Sequence, residues 1–186
     1  MRKLMLEVEG QAVEPVSEAV FERQITASGL ARLRISVPDS LPDLLQRMAG
    51  QLPSPYFLLY VLHTPRGEGE PGRYQSGEVT QARLRDFLTR YQSYLASDAR
   101  HDLWVYSPQS RQTLVWDRHN QMFAEGEPLE GFVDALLSLG FTEAVLDPIG
   151  DHFHYYRAEF DEDAAEVLGA FNWHRTPLQA DDEQAL

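Results

Sequence analysis

Residues 102–125 read DLWVYSPQSRQTLVWDRHNQMFAE, and this stretch decides the fold class. Strand-forming residues run through Leu103–Tyr106 and return at Leu114–Trp116 and Met122–Ala124. The turn-rich tetrapeptides Ser107-Pro108-Gln109-Ser110 and Asp117-Arg118-His119-Asn120 separate them. A strand sends successive side chains to opposite faces, while Pro, Ser, Asp and Asn close turns through a fixed φ or local hydrogen bonds. The stretch therefore predicts a three-stranded antiparallel meander.

Upstream, residues 2–9 alternate, with Leu4, Leu6 and Val8 on one face and Lys3, Glu7 and Glu9 on the other, as in a half-buried strand. Residues 18–27 and 30–37 predict a hairpin around Ser28-Gly29, with Ala31, Leu33, Ile35 and Val37 opposite Arg32, Arg34 and Ser36. Ser40 and Asp43 form a capping pair on paper. Leu41, Leu44, Leu45 and Met48 follow at helical spacing up to Gly50. Tyr56–His63 is apolar on both faces, as a central strand is. Residues 64–79 hold Pro65, Gly67, Gly69, Pro71, Gly72 and Gly77, which predicts an exposed loop and the one possible internal boundary.

Helices are expected over 80–96, through Leu84, Phe87, Leu88, Tyr91 and Leu95, and over 128–139, where Leu129, Phe132, Val133, Leu136 and Leu137 form a stripe. Strands near 141–146 and 152–157 precede a last helix over 162–171, and the polar tail from Pro177 is expected to fray. The sum is an α+β fold over residues 1–176: a mixed, mainly antiparallel sheet with about four helices (41–50, 81–96, 129–139 and 162–171) packed on it, and an acidic tail at 177–186.

The chain has 186 residues and no cysteine, which removes disulfides, thiolate metal sites and cysteine nucleophiles together. Glu7 and Glu9 cut the first apolar run too short for an export signal, so a cytoplasmic protein is expected, with no membrane span. Residues 1–100 carry 12 basic and 12 acidic side chains; residues 101–186 carry 4 and 17, the whole net charge of −13. Such an excess repels phosphate backbones and attracts basic surfaces, which excludes nucleic acid and favours a basic protein partner. The docking residues would be Glu159, Asp161, Glu162, Asp163 and Glu166, with Asp102 and the aromatic pair Trp104 and Tyr106. Small acidic proteins that neutralise basic toxins share this general character, as do adaptor modules; the comparison is one of analogy alone.

Gly67-Glu68-Gly69-Glu70-Pro71-Gly72 has the spacing of a dinucleotide loop, but two carboxylates and a proline stand where bare N–H groups are needed. No cofactor is expected. His101-Asp102 sits at a strand entry without the further ligands a phosphohydrolase needs, and His174-Arg175-Thr176 has no second copy. Asp117, His119 and Asn120 resemble acid–base machinery, yet a hairpin turn calls for the same residue types. His152-Phe153-His154 alone has metal-ligand spacing: alternation puts both imidazoles, with Tyr156, on one strand face. A catalytic ion needs a third protein ligand, which spacing does not supply. Two functions follow: a non-enzymatic domain whose acidic half docks a basic protein, and, as the alternative, a metal-dependent hydrolase built on His152 and His154.

Overall fold

The computed structural model describes residues 2–15 and 18–182. The meander is present as β7 (His101–Ser107), β8 (Gln112–Trp116) and β9 (Gln121–Glu125), paired antiparallel with Val105 opposite Leu114 and Leu114 opposite Ala124. It forms the middle of a nine-stranded sheet. On one side lie the hairpin β3 (Val20–Ile25) and β4 (Ala31–Ser36), then β10 (Thr142–Glu143); on the other lie β5 (Tyr56–Leu62), β6 (Gly72–Val79) and β12 (His174–Thr176). The order is β10-β3-β4-β9-β8-β7-β5-β6-β12, and only β10 with β3 is parallel. A second sheet, order β11-β1-β2, joins β1 (Leu4–Val8) to β2 (Gln11–Val13) and to β11 (His152–His154).

One face of the large sheet presents Leu33, Ile35, Tyr60, Leu103, Leu114 and Met122 to the helices, all of them buried. Five α-helices cover it: α1 (Leu44–Ala49), α2 (Gln81–Arg90), α3 (Gln92–Ser97), α4 (Glu130–Ser138) and α5 (Asp161–Gly169). Each contributes an apolar stripe at helical spacing, such as Leu84, Phe87 and Leu88 in α2 and Phe132, Val133 and Leu136 in α4. The opposite face carries Arg34, Phe123, Val115 and Trp104, and the small sheet packs over part of it. No described helix is long and apolar enough to cross a membrane.

Several expectations are corrected. Residues 64–79 are not one loop: the second half is β6, in which Tyr74, Ser76 and Val79 are buried. A register shift between Phe57 and Leu59 takes the Leu58 N–H off the β5–β6 ladder, and Ser76 Oγ accepts from it at 2.9 Å. The helix over 80–96 breaks at Tyr91 into α2 and α3, which raises the helix count from four to five. Thr80 caps α2 by accepting from Arg83 N, whereas Asp43 makes no side-chain cap to α1 and instead pairs with Arg47 one turn on. Leu137, read as part of the buried stripe of α4, is exposed.

Both ends of the chain are held more tightly than their sequence predicts. Residues 174–176 add a strand to β6, and Asp182 is buried against Arg73, so the chain is anchored through residue 182 rather than frayed from Pro177; residues 183–186 lie outside those described. At the other end Lys3, expected on a solvent face, is fully buried: its ammonium donates to Asp117 O at 2.9 Å and stands 4.7 Å over the Trp116 ring.

Candidate metal centre

Strand β11 is short, but its ladder with β1 fixes the two histidines: His154 lies opposite Leu4 and His152 opposite Leu6. Backbone bonds from Glu7 N to Asp151 O and from Tyr155 N to Lys3 O extend the pairing at both ends. The imidazoles share one face, 4.8 Å apart at their centroids, with Tyr156 6.1 Å beyond His154. That much follows from alternation along a strand.

The third imidazole comes from the β8–β9 turn. Asp117 organises that turn by accepting from His119 N at 2.9 Å and Gln121 N at 2.8 Å, and Asn120 takes a left-handed φ of 61° that a short amide side chain tolerates. The turn is the one expected from the residue types. Its position was not expected: it delivers the His119 ring to 5.1 Å from His152 and 5.0 Å from His154. One ligand nitrogen from each of the three histidines lies within 4.8 Å of the others. A tetrahedral ion with Zn–N bonds of about 2.0–2.1 Å holds its ligands roughly 3.4 Å apart, so modest side-chain rotations close the set.

Hydrogen bonds prepare the nitrogens for this role. His119 Nδ1 bonds Asp117 Oδ2 at 2.8 Å, and His152 Nδ1 donates to Gly150 O at 2.8 Å. A carbonyl or carboxylate oxygen accepts, so each Nδ1 carries the hydrogen and each Nε2 keeps a free lone pair. His154 Nε2 is buried with no hydrogen-bond partner. Burial, aided by the positive charge of Arg118, pushes the His154 pKa down to about 3, so the ring is neutral at physiological pH and able to ligate.

Behind the centre lies an array of buried charge. Asp102 is hydrogen-bonded to His63 Nε2 at 3.1 Å and accepts from Arg118 N at 2.7 Å. Burial raises the Asp102 pKa, an effect partly offset by His63. Burial also lowers Lys3 to about 8, against the pull of Asp102 and Asp117. A cleft of about 460 Å³ opens beside the centre between the small sheet, β4 and residues 144–150, with His119 and Gly150 on its wall.

The expected docking residues meet different surroundings. Asp102 is buried, which takes it off any docking surface. Asp161 binds Arg66 at 3.0 Å and Arg100 at 3.1 Å, and Glu166 binds Arg90 at 2.7 Å. Glu159 and Glu162 are exposed, and Asp163 is half-buried. Trp104 is half-buried with Arg73 6.0 Å over its ring, and Tyr106 stands exposed on the same strand face. The His101-Asp102 pair is not a dyad: Asp102 meets His63, while His101 stacks between Tyr60 and Tyr94 in the core. His174 is exposed on β12, and Glu68 of the glycine-rich stretch is tied to Arg100 at 3.2 Å. Comparison with family models, curated proteins and solved structures finds no match to this chain, so its reading rests on the geometry above.

Proposed function

We propose that the chain is a metal-dependent hydrolase whose divalent ion is held by His119, His152 and His154. The observation that carries this reading is the convergence of three imidazole nitrogens within 4.8 Å of one another. Two of the rings have the outer-shell acceptor that fixes a ligating tautomer. Three protein ligands of this kind leave a fourth position open, the pattern of catalytic rather than structural zinc sites. An ion held there supplies Lewis acidity and lowers the pKa of water toward neutrality. The chain's own part is to orient the rings through Asp117 and Gly150, to keep His154 neutral, and to bound a cleft beside His119. Docking of a basic protein is the weaker proposal, because Asp161 and Glu166 already face arginines within the fold.

The test is titration with cobalt(II) and zinc, followed by assays on ester and amide substrates. One equivalent bound, tetrahedral cobalt absorption, and turnover that disappears on chelation and returns with zinc support the reading. Substoichiometric uptake by wild-type protein, or uptake unchanged in His119→Ala and His154→Ala, sinks it.

A further inference from the structure

Arg34 lies on the sheet face away from the helices, lines the cleft beside His119, and is only 3% exposed. Its guanidinium donates through Nε to Gln121 Oε1 at 3.2 Å, through Nη1 to Leu146 O at 3.2 Å and through Nη2 to Asp147 O at 3.1 Å. All three acceptors are neutral. No carboxylate among the described residues comes within ion-pair distance of it, in contrast to Arg100, which is equally buried and has three acidic partners. A guanidinium has five N–H donors, so two remain; Glu22, opposite Arg34 in the β3–β4 ladder, Asp117 and Asp147 act on it only through space, and a buried cation with no ion-pair partner gains from an anion that joins it.

The rest of the wall narrows the ligand. Leu4, Leu6 and Ile149 supply apolar surface, and Glu18 and Asp147 line the same cleft. Two acidic neighbours disfavour a dianion, whereas one carboxylate matches the planar fork and the apolar walls suit a short hydrocarbon body. We infer that the cleft binds a small carboxylate-bearing ligand, its carboxylate on Arg34 and its body directed along the apolar wall toward His119. As a statement about the hydrolase's substrate this rests on the metal-centre reading; as a statement about binding it does not.

The experiment uses butyrate and inorganic phosphate as probes, titrated into metal-stripped and zinc-loaded protein, with calorimetry and the arginine Nε–Hε resonances as readouts. Butyrate should saturate a single site in both forms, shift the Arg34 resonance, and bind more tightly than phosphate. Arg34→Lys keeps the charge but loses the fork, and should weaken butyrate by roughly tenfold or more while leaving metal stoichiometry unchanged. His152→Ala should abolish metal uptake and leave butyrate binding in place, so the two readings fail separately. Absence of saturation in the wild-type protein would show that Arg34 only pins residues 146–147, and tighter binding of phosphate would overturn the choice of a carboxylate.

Discussion

His119 Nδ1 and Asp117 Oδ2 are 2.8 Å apart, and the same carboxylate holds the backbone of the turn that carries His119. One side chain thus sets both the place and the tautomer of a candidate ligand. Asp117→Asn keeps an oxygen for the backbone donors but loses the charge opposite the ring. It is expected to weaken zinc binding by about 10–100-fold, read by competition with a chromophoric chelator. Unchanged affinity would mean that His119 is no ligand.

A second prediction concerns acid. His154 in the folded protein titrates near 3, against 6.5 for a free imidazole. Between those values the unfolded chain binds a proton that the native chain refuses, so stability falls as pH drops from about 6.5 toward 3. Urea unfolding in the presence of chelator should show this slope, and His154→Leu should flatten it. Equal slopes in the two proteins would place the His154 proton elsewhere.

His101 is fully buried, and neither ring nitrogen has a hydrogen-bond partner. Its ring stacks 5.1 Å from Tyr60 and 4.6 Å from Tyr94, whose hydroxyls bond each other at 2.6 Å. Leaving a buried donor unsatisfied costs about 1–3 kcal/mol, and phenylalanine has the same aromatic body without the donor. His101→Phe is therefore expected to raise stability by about 1 kcal/mol in denaturant titration, after a small overpacking cost. A loss of stability would reveal a partner for the ring nitrogens.

Arg100 is the opposite case, a buried cation fully matched by Asp98, Glu68 and Asp161 and by the Arg157 carbonyl. Arg100→Met strands Asp98 and Glu68 as buried carboxylates, and about 3–5 kcal/mol of stability should be lost. Loss of under about 1 kcal/mol would mean that the network is solvated in solution.

Much of this architecture was legible because period-two alternation is a local signal. The hairpin around Gly29 and the 102–125 meander form in the register their apolar residues require. Strand β6 was not legible: its buried positions are Gly72, Tyr74, Ser76 and Val79, so two of the four lack the bulk that marks a buried face, and Gly77 reads as a loop. Strand β12 offers only His-Arg-Thr. The candidate site divides in the same way. His152 and His154 are a spacing, visible along one strand. His119 reaches them through the stacking of the small sheet on the large one, a relationship between distant segments that no local pattern encodes. Lys3 misled for a related reason, because its partners lie more than a hundred residues away.

The three histidines also belong to two different sheets, two on β11 and one on the turn that closes β8 to β9. An ion shared among them would be a cross-link, closing a loop of about 33 residues between His119 and His152. By the entropy of loop closure, such a tie removes on the order of 3–4 kcal/mol of freedom from the denatured ensemble. The centre would then act as a clasp as well as a reaction site. Without it, the small sheet is tied to the rest of the fold by Lys3, by the Arg2–Asp39 ion pair and by the bond from Ala99 N to Tyr155 O, few enough ties that loading with metal would set the order in which the molecule comes apart.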